Sequence, residues 1–366
     1  MGREVTVRNY KPRDEEAILR LLERAFVWPA SEIEVSKMDH WKWKYLDNPM
    51  ELLFIGLVED AGELICHSAA LPFMIMIGGK SYRGVEGSDV CRDKDRADEE
   101  MILNAIRSKY AVIDRNGIDF CFSFPVQDMY YNLLRKFDYI DTGLETERFF
   151  LVLQPEKFFA AVGEGSLKKI AYRLLTTGKE NTRRSAIEAS SEIRVEDADD
   201  FGPDIEQLFL SAAGQFDIII VRSRERMNWR YADRRGGRYH IRVARKGGKL
   251  AGYAVLKFSG TGDAKSCEIA DMLVHPDHPD ALDVLVCDSA KYAEGFGAIS
   301  LSCRLLNNHP YIPAVRRMGF VKVRNPSGVH WVKLTVRNLR KNPEIDSVLK
   351  KGDLRVHIMV GDTDGI

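Results

Sequence analysis

Apolar and polar positions change period several times along the chain, and each change marks an element. "VTVRNY", Val5 to Tyr10, alternates as a half-buried strand does. The next stretch sets Ile18, Leu21, Leu22 and Ala25 on one helical face after Asp14, a residue type suited to an N-cap. "HWKWKYLDNP", His40 to Pro49, predicts a short aromatic helix that stops at Asn-Pro. "LLFIGLVEDAGELICHSAALP" reads as two β-rich runs around a turn at Gly62, and "GVEGSDV" as a further strand. A long amphipathic segment, the strand of "RNGIDFCFSFP", the helix of "DMYYNLLRKFDY" and a last strand complete the series.

The same order returns. Trp229 and Tyr231 lie 186 residues beyond Trp43 and Tyr45, and Gly248 the same distance beyond Gly62. Ile205, Leu208, Phe209 and Ala212 repeat the first helical face at 187. Glu268 and Asp271 follow Glu86 and Asp89 at 182, and Tyr311 and Phe320 follow Tyr130 and Tyr139 at 181. A shrinking offset is what short loop deletions leave in duplicated units. The pattern predicts two mixed α/β domains, 1–155 and 192–340. A linker at 156–191 carries one helix near Leu167 to Leu175, and an extension at 341–366 adds a short helix, a strand over Arg355 to Val360 and the turn "GDTDG".

Composition narrows the partners. Lys+Arg and Asp+Glu both number 54 in 366 residues, so no bulk positive field draws the chain to nucleic acid or an anionic membrane. The longest apolar run, Leu71 to Ile77, is far below the roughly 20 residues that span a bilayer, and the amino terminus has no apolar leader core, so a cytoplasmic location is expected. Six scattered cysteines form no C-x-x-C pair and read as buried apolar residues. "VHPDHPD" puts His275 and His278 beside two acids, but Pro276 and Pro279 make it a rigid turn rather than a metal site. No metal cofactor is expected.

"RKFDY" and "RRMGF" after a tyrosine-bearing helix, together with the element order, resemble the GNAT superfamily of acyl-CoA-dependent N-acyltransferases. "WKWKYLDNP" resembles the segment before the first hairpin in the Eis-like and polysaccharide-biosynthesis-associated acetyltransferases. The resemblance implies a mixed sheet whose fourth and fifth strands part, with acetyl-CoA or another acyl-CoA in the wedge and a small-molecule or saccharide amine as acceptor. It implies cofactor contacts from Val90, Cys91, Arg92, Lys94, Arg96 and Phe124, acid–base roles for Glu86, Asp89 and Tyr130, and acceptor contacts from Trp41 and Tyr131. Packing is the expected role of Trp43 and Trp229. The family's usual tyrosine falls at Leu134 and Val315, one helical turn beyond Tyr130 and Tyr311 and on the same face.

The phosphate loops depart from the family. "VCRDKDRADEEMIL" and "VHPDHPDALDVL" contain no glycine, and in the first the acids outnumber the bases and compete for the helix dipole. Glu86 and Asp89 should point to opposite faces of a strand unless a bulge at Gly84 or Gly87 turns the chain, and they have an alternative role as partners of Arg83 or Arg92. Two further readings therefore stand beside N-acyl transfer. One is a catalytically silent paired scaffold that binds a ligand or a protein. The other is an aminoacyl transferase of the Fem type, which needs tRNA and which the neutral charge disfavours.

Overall fold

The computed structural model describes residues 5–29, 33–125, 128–161, 192–323 and 333–364. The helix expected near Leu167 to Leu175, and most of the segment expected as a linker, lie outside these residues. The strands are β1 Val5–Asn9, β2 Phe54–Asp60, β3 Glu63–Ile77, β4 Lys80–Arg92, β5 Phe120–Ser123, β6 Ile140–Val152, β7 Ile193–Ala198, β8 Ile218–Ile220, β9 Tyr239–Lys246, β10 Lys249–Ser259, β11 Ser266–Val274, β12 Ser300–Leu306, β13 Val321–Val323, β14 Lys333–Asn338 and β15 Val356–His357. The helices are α1 Glu15–Ala25, α2 Lys37–Tyr45, α3 Glu99–Arg115, α4 Asp128–Arg135, α5 Pro155–Ala161, α6 Asp204–Ala213, α7 Arg224–Tyr231, α8 Asp280–Gly295, α9 Ile312–Arg317 and α10 Pro343–Leu349.

All the strands join one mixed sheet, with the path β1-β2-β3-β4-β5-β14-β6-β12-β11-β10-β9-β7. The two ends of the chain exchange strands at its centre. β14, from near the C-terminus, inserts between β5 and β6, while β6, from the first half, lies between β12 and β13. One long strand thus serves two neighbourhoods: Ile140 to Glu145 pair with β14, and Thr146 to Val152 with β12. Backbone hydrogen bonding therefore runs continuously from β5 through β14 and β6 to β12, across both halves of the chain.

β3 reads as a nearly unbroken apolar run because it is covered on both faces. α3 lies against β2 and β3 at Gly56, where a Cβ would sit 2.0 Å from the Ala105 carbonyl oxygen, so only glycine permits that approach. α2 and α7 start alike: the hydroxyls of Ser36 and Ser223 accept from the amides of Asp39 and Arg226, each three residues on.

The parallel pairs β4–β5 and β11–β12 open as they run. β4 pairs with β5 only from Gly84 to Glu86 and then continues alone on that side to Arg92. β11 pairs with β12 from Ser266 to Ile269 and continues to Val274. Both diverging strands carry a bulge on the way, at Asp89 and near Ala270.

The C-terminal extension is the least expected feature. β15 pairs in parallel with β8, and a 3-10 turn at Val360–Asp362 follows. The turn anticipated from "GDTDG" lies partly outside the described residues; the 3-10 turn begins one residue earlier, and Asp362 within it faces inward. Asp362 Oδ2 accepts from Arg222 Nη2 at 2.6 Å, and the same nitrogen reaches Asp271 Oδ1 at 3.1 Å; neither Arg222 nor Asp271 has any exposed side chain. Tyr253 donates to the other Asp271 oxygen at 2.9 Å.

Burial alone would raise the Asp271 pKa, but the Arg222 charge and the donated bonds hold it well below 3.8. A carboxylate with a depressed folded pKa stabilises above its unfolded value and loses that contribution as pH falls through the folded one. Asp271→Asn is therefore expected to cost about 3–5 kcal/mol in urea denaturation at pH 7, and the gap to the wild type to narrow below about pH 4. A gap independent of pH would contradict this account of the cluster.

Candidate functional site

A cleft forms where α2 and α7 meet above β3 and β4. His40, Trp43 and Lys44 come from α2, Arg226, Trp229 and Arg230 from α7, Leu71 to Phe73 from β3, Glu86 from β4, and Asp362 to Asp364 from the C-terminal segment. They enclose roughly 470 Å³, part of it open to solvent. Helical periodicity decides which aromatics reach it. His40, Trp43 and Lys44 share one face of α2, while Trp41 and Tyr45, four apart, share another. Trp41 therefore has no exposed surface. It packs against Tyr10 and Tyr45 in the core under α1, which rules out the acceptor contact expected of it.

Trp43 and Trp229 instead stack with ring centroids 4.8 Å apart and planes 19° from parallel. Each indole N–H donates to the other's backbone carbonyl, at 2.9 and 3.1 Å. Packing was expected of this pair, but within separate halves; here it joins them and walls the cleft. Gly236 lies so close that a Cβ there would come 2.3 Å from the Trp43 ring. His40 donates from Nδ1 to the Arg235 carbonyl at 2.6 Å, and burial lowers its pKa to about 4, so it is neutral at pH 7.

The residues following the two stacked tryptophans are both cations, and both grip the C-terminal segment. Lys44 pairs with Asp364 and, at 2.8 Å, with Asp89. Arg230 donates to the carbonyls of Gly361 at 2.7 Å and Thr363 at 3.0 Å. Ser88 donates to Asp364 at 2.7 Å, and the Asp364 amide donates to Glu86 Oε2 at 3.0 Å.

Glu86 and Asp89 separate into different roles. The bulge falls at Asp89 itself, in the left-handed region at φ 44°, and at neither glycine. Four contacts hold that backbone against its strain. His67 Nδ1–H donates to its carbonyl at 2.6 Å, and its carboxylate accepts from Trp28 at 3.0 Å, Tyr45 at 2.5 Å and Lys44. Lys44 and these donors overcome burial and lower the Asp89 pKa. Glu86 lines the cleft, and burial followed by the Asp364 carboxylate raises its pKa well above 4.5. Neither acid pairs with Arg83 or Arg92, the alternative partners suggested by the sequence.

Tyr130 stands over β4 just beyond the point where β5 leaves it. A Cβ on Gly87 would lie 3.4 Å from its hydroxyl oxygen, and that hydroxyl has no hydrogen-bond partner among the described residues. Burial, then the nearby Glu86 and Asp364, raises its pKa. Its counterpart differs: Tyr311 accepts from the Val274 amide at 3.2 Å and so occupies the second opening, where β11 has left β12.

The other expected residues scatter. Cys91 is buried under α1 and Val90 packs against the cluster around Ile102. Arg92 donates to the Ala97 carbonyl, and Arg96 to Asp60 at 3.0 Å and to Glu63 on the outer surface. Lys94 is exposed in the turn before α3. Phe124 packs beside Phe122 at 6.0 Å. Tyr131 donates to Asp141 at 3.2 Å, away from the cleft. Lys44, Arg230 and Asp364 were missed. The first two were legible as the cation shared by "WKY" and "WRY".

Fit to an acyl-CoA is divided. The unpaired side of β4 past Glu86 suits an extended pantetheine arm. The loop before α3 does not form a backbone phosphate cradle, since Asp98 already caps the helix by accepting from the Met101 amide at 2.9 Å.

Residues 6–140 match the family described as acetyltransferase (GNAT) domain. No curated protein matches the chain in sequence. In fold it is similar to a GCN5-related N-acetyltransferase from Anabaena variabilis, with TM-score 0.64 and 11% identity over 92% of this chain and 74% of that one. It is also similar to a conserved Enterococcus faecalis protein of unknown function described as a probable N-acyltransferase, with TM-score 0.63 and 11% identity over 95% and 75%. Saccharomyces cerevisiae N-myristoyltransferase with bound myristoyl-CoA aligns with TM-score 0.57 and 12% identity over 92% and 80%. The fold is that of GNAT N-acyltransferases. No described helix is long and apolar enough to cross a membrane.

The two carboxylates predict opposite stability effects. Asp89→Asn strips a buried ammonium of a partner and is expected to cost about 3–5 kcal/mol. Glu86, whose raised pKa means its charge is disfavoured at neutral pH, is expected to give a Glu86→Gln variant at least as stable as the wild type at pH 7. Chemical denaturation of the two variants checks this, and equal destabilisation would refute the separation of roles.

Proposed function

We propose that the protein is a tandem pair of GNAT-like units, residues 1–155 and 192–340, that transfers an acyl group from acetyl-CoA or another acyl-CoA to an amine at the first unit's cleft. The observation that carries the proposal is the difference between the two openings. In the first, Glu86 and a tyrosine hydroxyl without a hydrogen-bond partner among the described residues converge where the strands part. In the second, the matching tyrosine is bonded to the strand's own backbone.

The thioester supplies an activated acyl carbon, so the protein has mainly to position a neutral amine against it. Glu86 takes the proton that the nitrogen loses as the C–N bond forms, and its raised pKa brings its basicity closer to that task. Tyr130 gives a proton to the sulfur as the C–S bond breaks. Amide and thiol leave, and the two side chains re-equilibrate their protons with water. Asp89 does not touch the reacting atoms; through Lys44 it positions Asp364, whose amide bonds Glu86.

A silent scaffold remains as a second reading because of the capped, glycine-free loop. Thermal unfolding with acetyl-CoA separates the two, since ligand at a hundred times its dissociation constant stabilises by about 2.7 kcal/mol. Thiol release from acetyl-CoA across a panel of amines then tests transfer. Glu86→Gln is expected to lower kcat/KM by about 10²–10⁴ and to abolish an ascending pH limb that lies above the ordinary carboxylate range. Stabilisation without any turnover would leave the scaffold, and turnover unaffected by Glu86→Gln would remove this residue assignment.

A further inference from the structure

The second half carries a line of charged side chains that acyl transfer at Glu86 does not use. Cross-strand neighbours place them on one face of the sheet: Tyr239 on β9 opposite Lys257 on β10, Lys257 opposite Glu268 on β11, and Arg304 on β12 opposite Arg148 on β6. Arg304 Nε meets Glu268 at 3.2 Å across the face. Arg230 closes the line on the cleft side, its guanidinium 5.9 Å from the Tyr239 ring centre. Four cations face a single carboxylate.

Two of these groups have buried donor atoms without a hydrogen-bond partner among the described residues, and a third, Lys257, has no hydrogen-bonding or ionic partner there. Lys257 is 7% exposed and has no hydrogen bond or ion pair among the described residues; its ammonium lies over the Tyr239 ring at 5.6 Å. Among the described residues the Tyr239 hydroxyl, also on a residue 7% exposed, has no hydrogen-bond partner, and neither has Arg148 Nε. Buried donors without acceptors are costly, and such a set persists where a ligand supplies the acceptor. Glu268 and Arg304, 19% and 25% exposed, leave the line open to solvent on that side.

We infer that this face, centred on Lys257, Tyr239 and Arg148, is an oxyanion-binding site that takes the phosphate or carboxylate group of a small molecule. Binding would bring oxygen acceptors to donors that now have none and offset the surplus positive charge. Arg230 borders both this face and the cleft, so a ligand held here would lie next to the proposed acceptor position. The inference stands whether or not the chain transfers acyl groups.

Burial and then the Arg230 charge pull the Lys257 pKa down to about 7, against the opposing pull of Glu268. An anion beside it would restore its proton, so binding should take up protons near neutrality. Sulfate, which does not titrate there, is the probe for a tetrahedral anion and acetate for a carboxylate, each titrated calorimetrically into the full chain at constant ionic strength. Saturable binding is expected, weakened about tenfold or more in Lys257→Met and in Arg148→Met. Lys257→Arg, which keeps the charge and guards against a folding defect, should retain binding and lose the proton uptake. A preference for sulfate assigns a phosphate group and one for acetate a carboxylate. Affinity unchanged in Lys257→Met, or no binding of either anion beyond that of chloride, would overturn the site.

Discussion

The reciprocal contact between Trp43 and Trp229 is the constraint on which the cleft depends. Each ring gives its N–H to the other's backbone and lies flat on the other's face, so both the spacing and the orientation of α2 and α7 are fixed. Lys44 and Arg230 follow directly in sequence and are therefore delivered to the same opening. Separately, each would be a cation at the end of a short helix. Together they hold the backbone and carboxylates of residues 361–364 beside Glu86.

Electrostatics then divides three nearby acids. Asp89 has an ammonium and two aromatic donors and stays ionised as an anchor. Asp364 shares that ammonium, and burial and the Asp89 charge raise its pKa. Glu86 has only a backbone amide and is raised most clearly. One buried lysine cannot fully satisfy two carboxylates, and burial, reinforced by the Asp364 charge, raises the proton affinity of Glu86, the acid that faces the space. The second half resolves the same arrangement differently: Arg222 reaches both Asp271 and Asp362 from a fully buried position, so each carboxylate there has a guanidinium partner.

Much of this architecture was legible. Alternation and helical faces placed β1, α1, the β2–β3 hairpin and α3, and the matched spacing pointed to Glu86 and Tyr130. Three things were hidden. Periodicity identifies a strand but not its neighbour, so the exchange of β6 and β14 left no trace in the pattern. A short aromatic helix was expected over Trp41 to Tyr45, but not which of its sides meets the cleft: a helix turns 100° per residue and sends Trp41 and Trp43 to opposite sides. The bulge at Asp89 was sought at a glycine, because a left-handed backbone ordinarily needs one; here side-chain bonds from distant elements hold it, and such bonds cannot be read locally. Asp364 was out of reach for the same reason, being placed by contacts more than 270 residues away in sequence.

The central claim is that the opening beyond Glu86, and not its counterpart beyond Ile269, accepts a coenzyme A thioester. Amide hydrogen exchange with and without desulfo-coenzyme A tests this most directly. The account predicts slowed exchange in Gly87–Arg92 of β4 and no change in Ala270–Val274 of β11, where Tyr311 already occupies the backbone. Protection confined to β11, or none in either strand at saturating ligand, would contradict it.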